Sequence, residues 1–202
     1  TQDIGTAQKK YDDFNIDQSI YVVGNEQDYH FKVLQLICKK LNKPYADGIY
    51  HMSYGMVELP TGKMKSREGT VVDADDLVQE MVDEAKAKTI ELGKTEGLTD
   101  TQLNQLYESL GLSALKFFIL KVDPRKRMLF NPQESIDFQG DTGPFVQYTY
   151  ARIQSILRSA EGLDWQSTDI NTHLLPIEVE TIQTLYRYPD EVNKACSDCS
   201  PA

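Results

Sequence analysis

The chain has 202 residues, 40% of them hydrophobic and 26% charged, with a formal net charge of -10. This is enough apolar material for one large domain or two small ones, and the acidic balance excludes broad, sequence-independent binding of nucleic acid, which needs a basic face to release counterions. Three cysteines, Cys38, Cys196 and Cys199, without a secretory leader or long apolar run predict a reduced, cytoplasmic setting and no membrane span.

The opening "DIGTAQKKYDDF" reads as a helix, and the β-branched and aromatic run Ile20 to Val23 as a strand. In "DYHFKVLQLICKKLN", Phe31, Leu34, Ile37, Cys38 and Leu41 recur at helical spacing. A second strand is predicted across "GIYHMSYGMVEL", before Pro60 and Gly62 open a loop. Strands alternating with helices predict an α/β unit with a parallel sheet, whose ligand-binding edge lies where the loops follow the strands.

Beyond Val72 the pattern is helical and no further strand is expected. Asp73 reads as the N-cap of "ADDLVQEMVDEAKAKTIEL", and Thr99 with Gln102 as a capping box ahead of Leu103, Leu106 and Leu110. "SALKFFILKV" reads as a short apolar helix or buried strand stopped by Pro124. Pro144 suits the first turn of "PFVQYTYARIQSILRSA", with Phe145, Tyr148, Ala151 or Arg152, and Ile156 on one stripe. A linker with Gly162 and Asp164 leads to a last amphipathic stretch, Leu175 to Tyr186. The start at Thr1 without Met and the end at "ACSDCSPA" read as cuts from a longer protein.

Chemistry concentrates on the loop after the second strand, where Lys63, Lys65, Ser66 and Arg67 precede Gly69. Converging donors of this kind suit polyphosphate and the charge that develops in phosphoryl or nucleotidyl transfer. A run of surface cations is also commonly just solvated. A P-loop is excluded, because "GKM" lacks Ser or Thr after the lysine and Val57 stands where the first glycine belongs. Elsewhere the bland readings prevail. Cys196 and Cys199 form one C-x-x-C pair without the partners that complete a four-ligand metal site, so no metal ligand is assigned. Asp75, Asp76, Glu80, Asp83 and Glu84 read as a solvated acidic face, and His173 as a surface loop histidine. Lys116, Lys121, Arg125, Lys126 and Arg127 are interleaved with Phe117, Phe118 and Phe130, which suits nucleic-acid phosphates or single-stranded bases but reads first as a core element with a basic rim.

"KMKSR" resembles the degenerate KMSKS signature of class I aminoacyl-tRNA synthetases, and "HMSYGMVELPTGKMKSREGTVV" is similar to the stretch entering that loop in the arginyl-tRNA synthetase family. "YVVGNEQDYHF" resembles that family's strand and turn after its substrate helix, and "GDTGPFVQYTYARIQSILR" its helix entering the anticodon-binding domain. The resemblance implies the C-terminal half of a Rossmann-like catalytic domain with its KMSKS-like loop in residues 1–72, a helical stem-contact or connecting region in 73–140, and the beginning of a helical anticodon-binding domain in 141–202.

It further implies ATP-dependent ligation of L-arginine to its tRNA through an arginyl-adenylate. Asp3 falls where the family sets a carboxylate against the substrate guanidinium, and Gln27 at its second arginine contact. Gly24 and Glu26 match the turn approaching the ATP ribose, Gly55, Met56 and Val57 the strand that reads adenine, and Lys63 and Met64 continue the ATP-binding set. Lys63, Lys65, Ser66 and Arg67 are the implied catalytic residues; Ser66 holds the place of the second signature lysine, with Lys65 next to it. His30 and His51 lie in matched segments without an assigned role. The implied partners are arginine, ATP with Mg2+, and tRNA(Arg), with a monomer expected for the full-length protein. The HIGH motif is absent, so the chain alone is expected to be inactive. A non-catalytic RNA-binding or scaffolding module derived from a synthetase is the alternative, and charge alone does not separate arginine from lysine as the substrate.

Overall fold

The computed structural model describes residues 2–58, 73–93, 95, 97–137, 139–162 and 173–202. They form two compact units, one from residues 1–58 and 122–129, the other from 59–121 and 130–202.

In the first unit, α1 (Gln2–Phe14) is followed by β1 (Ser19–Gly24), a short 3-10 turn (Asn25–Gln27), α2 (Asp28–Lys40), β2 (Ile49–Tyr54), β3 (Val57–Glu58) and, from the later segment, β4 (Met128–Leu129). β1 and β2 pair in parallel, Ser19 opposite Ile49 through Gly24 opposite Tyr54, as the alternation of strand and helix predicts. The helical period in α2 is borne out at Phe31, Leu34 and Cys38, which turn one face inward. Ile37 and Leu41 stay exposed. Ala7 from α1, Tyr45 and Ala46 from the approach to β2, and Ile49 at the start of β2 complete this core.

Two expectations are corrected here. The predicted second strand is two strands, broken at Gly55 and Met56. A further strand also exists past Val72: β4 pairs in parallel with β3, Val57 opposite Met128 and Glu58 opposite Leu129. Two residues give no readable alternation, so only pairing identifies β4. Gly55 explains the break. Its amide donates to the Pro124 carbonyl at 2.6 Å, and a Cβ on it would run into the carbonyl of Lys126.

The second unit is helical. Asp73 caps α3 (Ala74–Glu91) by accepting from the Asp75 amide at 3.1 Å, and the Thr99 and Gln102 capping box opens α4 (Asp100–Leu120). Met81, Ala85 and Thr89 of α3 face Tyr107, Leu110, Gly111 and Ala114 of α4. The backbones approach closely at Gly111, where a Cβ would lie 2.8 Å from the Met81 carbonyl oxygen. "SALKFFILKV" is the last part of α4, which ends at Leu120, before Pro124. A short α5 (Pro132–Ser135) and buried Phe130 and Ile136 close this core. Phe118 meets Phe130 edge to face at 5.1 Å, so this aromatic stretch packs as the core reading expects.

Thr142 caps α6 (Gly143–Ser159), with Pro144 in the first turn. The predicted stripe is exposed at Phe145, Tyr148 and Ile156. α7 runs Pro176–Asp198, well past Tyr186, with Pro189 inside it and no buried residue. Among the described residues no helix is long and apolar enough to cross a membrane.

Candidate active-site edge

The parallel register of β1 and β2 sets Gly24 beside Tyr54, so the turn Gly24–Gln27 and the stretch Gly55–Val57 leave the same C-terminal edge of the sheet. In α/β sheets this is the edge where ligands bind, because the strands end there and the following helices present their N-termini. Five candidate residues separated by up to 33 positions, Gly24, Glu26, Gly55, Met56 and Val57, thus share one edge. Glu26 and Gln27 are exposed, whereas Gly55 is buried against the Pro124 to Arg127 backbone.

Asp3 lies in the first turn of α1, where the helix dipole favours a carboxylate. Its Oδ2 is 2.9 Å from Nε2 of His30, a first-turn residue of α2 three positions after Gln27. Both side chains are about half exposed, 49% for His30 and 47% for Asp3. Asp3 and Gln27, 24 residues apart, are therefore connected through one turn of α2.

Beneath this surface lies an aromatic cluster. Phe31 stacks at a tilt on Tyr21 at 4.9 Å and on His51 at 4.4 Å, and His30 meets its edge at 5.3 Å. Lys10 places its Nζ 3.9 Å over the Tyr21 ring and donates to Ser19 Oγ at 3.2 Å. His51 donates from Nε2 to the Val23 carbonyl at 3.0 Å, and its Nδ1 is 3.2 Å from Asp28 Oδ1. The sequence reading gave neither histidine a role and passed over Asp28. For His30 the available signal was position, three residues after Gln27; His51, opposite Tyr21 on β2, is brought there only by the strand register.

Lys63, Met64, Lys65, Ser66 and Arg67 lie outside the described residues. Next to that segment, Glu58 Oε1 is buried and has no hydrogen-bond partner among the described residues. Lys121 stands 5.2 Å over the Phe118 ring and donates to the Asp141 carbonyl at 3.0 Å. Asp75, Asp76, Glu80, Asp83 and His173 are exposed, in keeping with the solvated readings, whereas Glu84 on the same face is half-buried. All three cysteines are free, and no group of three or more His, Cys, Asp or Glu that could hold a metal occurs among the described residues.

Residues 1–131 match the family "tRNA synthetases class I (R), catalytic domain", and residues 146–202 match "DALR anticodon binding domain". The whole chain is 57% identical to an arginine–tRNA ligase of Flavobacterium psychrophilum and covers 33% of that relative. It is 53% identical to an arginine–tRNA ligase of Amoebophilus asiaticus, of which it covers 35%. The fold resembles Thermus thermophilus arginyl-tRNA synthetase with a TM-score of 0.76 and 28% identity, over 92% of this chain and 30% of that one. The arginyl-tRNA synthetase of Plasmodium falciparum has the same fold, with a TM-score of 0.71 at 23% identity, over 96% of this chain and 33% of that one. The chain thus spans about a third of the length of the curated relatives it matches. By sequence and by fold, it belongs to the arginyl-tRNA synthetases of class I.

Proposed function

We propose that this chain supplies part of the active site and the first part of the anticodon-binding domain of an arginine–tRNA ligase. Residues 1–72 are the C-terminal half of the catalytic domain, 73–140 the connecting region and 141–202 the start of the anticodon domain, which engages tRNA(Arg). The observation that carries the reading is the C-terminal sheet edge shared by Gly24 and Gly55, bordered by a carboxylate, Asp3, that is held without being buried.

In the first step the arginine carboxylate attacks the α-phosphate of ATP, forming arginyl-adenylate and releasing pyrophosphate. In the second, a terminal ribose hydroxyl of the tRNA attacks the activated carbonyl, forming the ester, and AMP leaves. Asp3 presents its carboxylate, which accepts two parallel hydrogen bonds from the planar guanidinium of the substrate. Gln27 supplies the second arginine contact. Gly24 and Glu26 approach the ribose, and the backbone of Gly55, Met56 and Val57 reads adenine, with Lys63 and Met64 completing the nucleotide site. Lys63, Lys65, Ser66 and Arg67 bind the pyrophosphate portion more tightly as charge develops, which raises rate and not affinity alone.

Mg2+ accompanies ATP as a phosphate-bound ion. The described residues offer no three-ligand protein cage, which fits an ion that keeps its waters and takes its remaining ligands from substrate phosphates. The full-length protein is read as a cytoplasmic monomer.

Arginine-dependent exchange of pyrophosphate into ATP, followed by charging of tRNA(Arg), tests the reading in the full-length enzyme. The 202-residue chain alone is expected to show neither activity. A chain that bound tRNA while its full-length form showed no exchange would support the scaffolding alternative.

A further inference from the structure

We infer that His51 is a positioning residue for the turn Gly24–Gln27, because its one imidazole bonds the residue before that turn and stands against the carboxylate of the residue after it. The inference rests on the proposed reading of this turn as the arginine and ribose contact. From Nε2, His51 donates to the carbonyl of Val23, the residue before the turn, at 3.0 Å. Nδ1 stands 3.2 Å from the carboxylate of Asp28, the residue after it, a contact that becomes an ion pair when the ring is the imidazolium, which alone carries a proton on both nitrogens.

The turn needs an outside brace. Gln27, the N-cap of α2, makes no side-chain cap hydrogen bond, and Gly24, the N-cap of the 3-10 segment, has no side chain to make one. Glu26 and Gln27 are exposed, so packing does little to fix them. His51 comes from the neighbouring strand, two residues before Ser53, the register partner of Val23. It is itself well fixed: its side chain is 11% exposed and its ring lies 4.4 Å from that of Phe31. A contact residue on a turn is only as accurately placed as the group that holds the turn.

Two readouts test the clamp. In the 202-residue chain, amide hydrogen exchange reports on residues 24–28, with α3 and α4 as internal references. In the full-length enzyme, arginine-dependent ATP–pyrophosphate exchange separates KM from kcat. His51→Ala is expected to speed exchange at residues 24–28 by about tenfold, leave α3 and α4 unchanged, and raise the arginine KM by about tenfold with kcat within about threefold. His51→Gln keeps a donor near the Nε2 position and should recover most of the loss. An unchanged arginine KM in a folded His51→Ala enzyme would overturn the inference, as would exchange that accelerates equally across β1, α2 and β2, or a His51→Gln variant as impaired as the alanine. If the wild-type enzyme showed no arginine-dependent exchange, the proposed function would fall, and the protection of residues 24–28 would still decide whether His51 holds the turn.

Discussion

Nε2 of His30 stands 2.9 Å from Oδ2 of Asp3, joining the first turn of α2 to the first turn of α1. The pair is half exposed, and such pairs contribute little to stability, about 0–1 kcal/mol. Its value would lie in aiming the Asp3 carboxylate. His30→Ala should leave the urea midpoint nearly unchanged while raising the arginine KM of the full-length enzyme. Asp3→Asn should cost more, roughly 3 kcal/mol in kcat/KM for arginine, because it removes the charge and leaves guanidinium donors unmatched. Equal effects on the KM for arginine and for ATP would make Asp3 a structural residue.

A second prediction concerns Gly55, whose missing Cβ leaves room for the Lys126 carbonyl. The obstructing atom belongs to the backbone, so no side-chain rotation relieves the clash. Gly55→Ala should destabilise the chain by about 1–3 kcal/mol or more, read as a lower denaturation midpoint. A wild-type midpoint would mean that the Pro124 to Arg127 segment moves aside at no cost.

The cysteines provide a third. Burial pushes the Cys38 thiol up, against a smaller opposing pull from Lys43, and burial also raises the Tyr45 hydroxyl in the same core. A group raised on folding stabilises fully below its unfolded value and loses that contribution as pH climbs through the folded one. Stability should therefore decline from about pH 8.5 upward, where an unfolded thiol ionises, and the first part of that decline should vanish in Cys38→Ala. A thiol reagent at neutral pH should label Cys196 and Cys199 quickly and Cys38 only on unfolding. Rapid labelling of all three would contradict the buried placement.

How much of this was legible in the sequence follows from the range of each interaction. α1, β1, α2 and the caps at Asp73 and Thr99 depend on neighbours a few residues away, and their patterns read directly; the cap at Thr142 is equally local, but only Pro144 was read at that helix start. β4 did not read, because Met128 is made a strand only by Val57, 71 positions earlier. The helical period of α2 correctly picked Phe31, Leu34 and Cys38 but also Ile37 and Leu41, since spacing cannot tell which flank of a stripe meets a neighbour. At the candidate site, the family resemblance supplied Asp3 and Gln27 singly. That His30 meets Asp3, and that His51 meets Val23 and Asp28 on either side of the turn carrying Gln27, emerges only when two helices and two strands are assembled.

A fourth prediction takes the cationic loop. If Lys63, Lys65 and Arg67 act on pyrophosphate as it forms, alanine at each should lower the kcat of arginine activation by about ten- to a thousandfold, with a smaller change in the KM for ATP. Lys65→Ala is the most informative, because Ser66 holds the place of the second signature lysine. A solvated loop predicts instead only a mild, salt-sensitive change in tRNA affinity.

The most direct test is ATP–pyrophosphate exchange by the purified full-length enzyme with tRNA(Arg) present, measured with arginine and with lysine as the amino acid. A site whose carboxylate pairs with a planar guanidinium should give a kcat/KM for arginine at least about a hundredfold above that for lysine, since an ammonium leaves part of the bidentate geometry unused. Exchange supported equally by lysine, or by neither amino acid, would contradict the account.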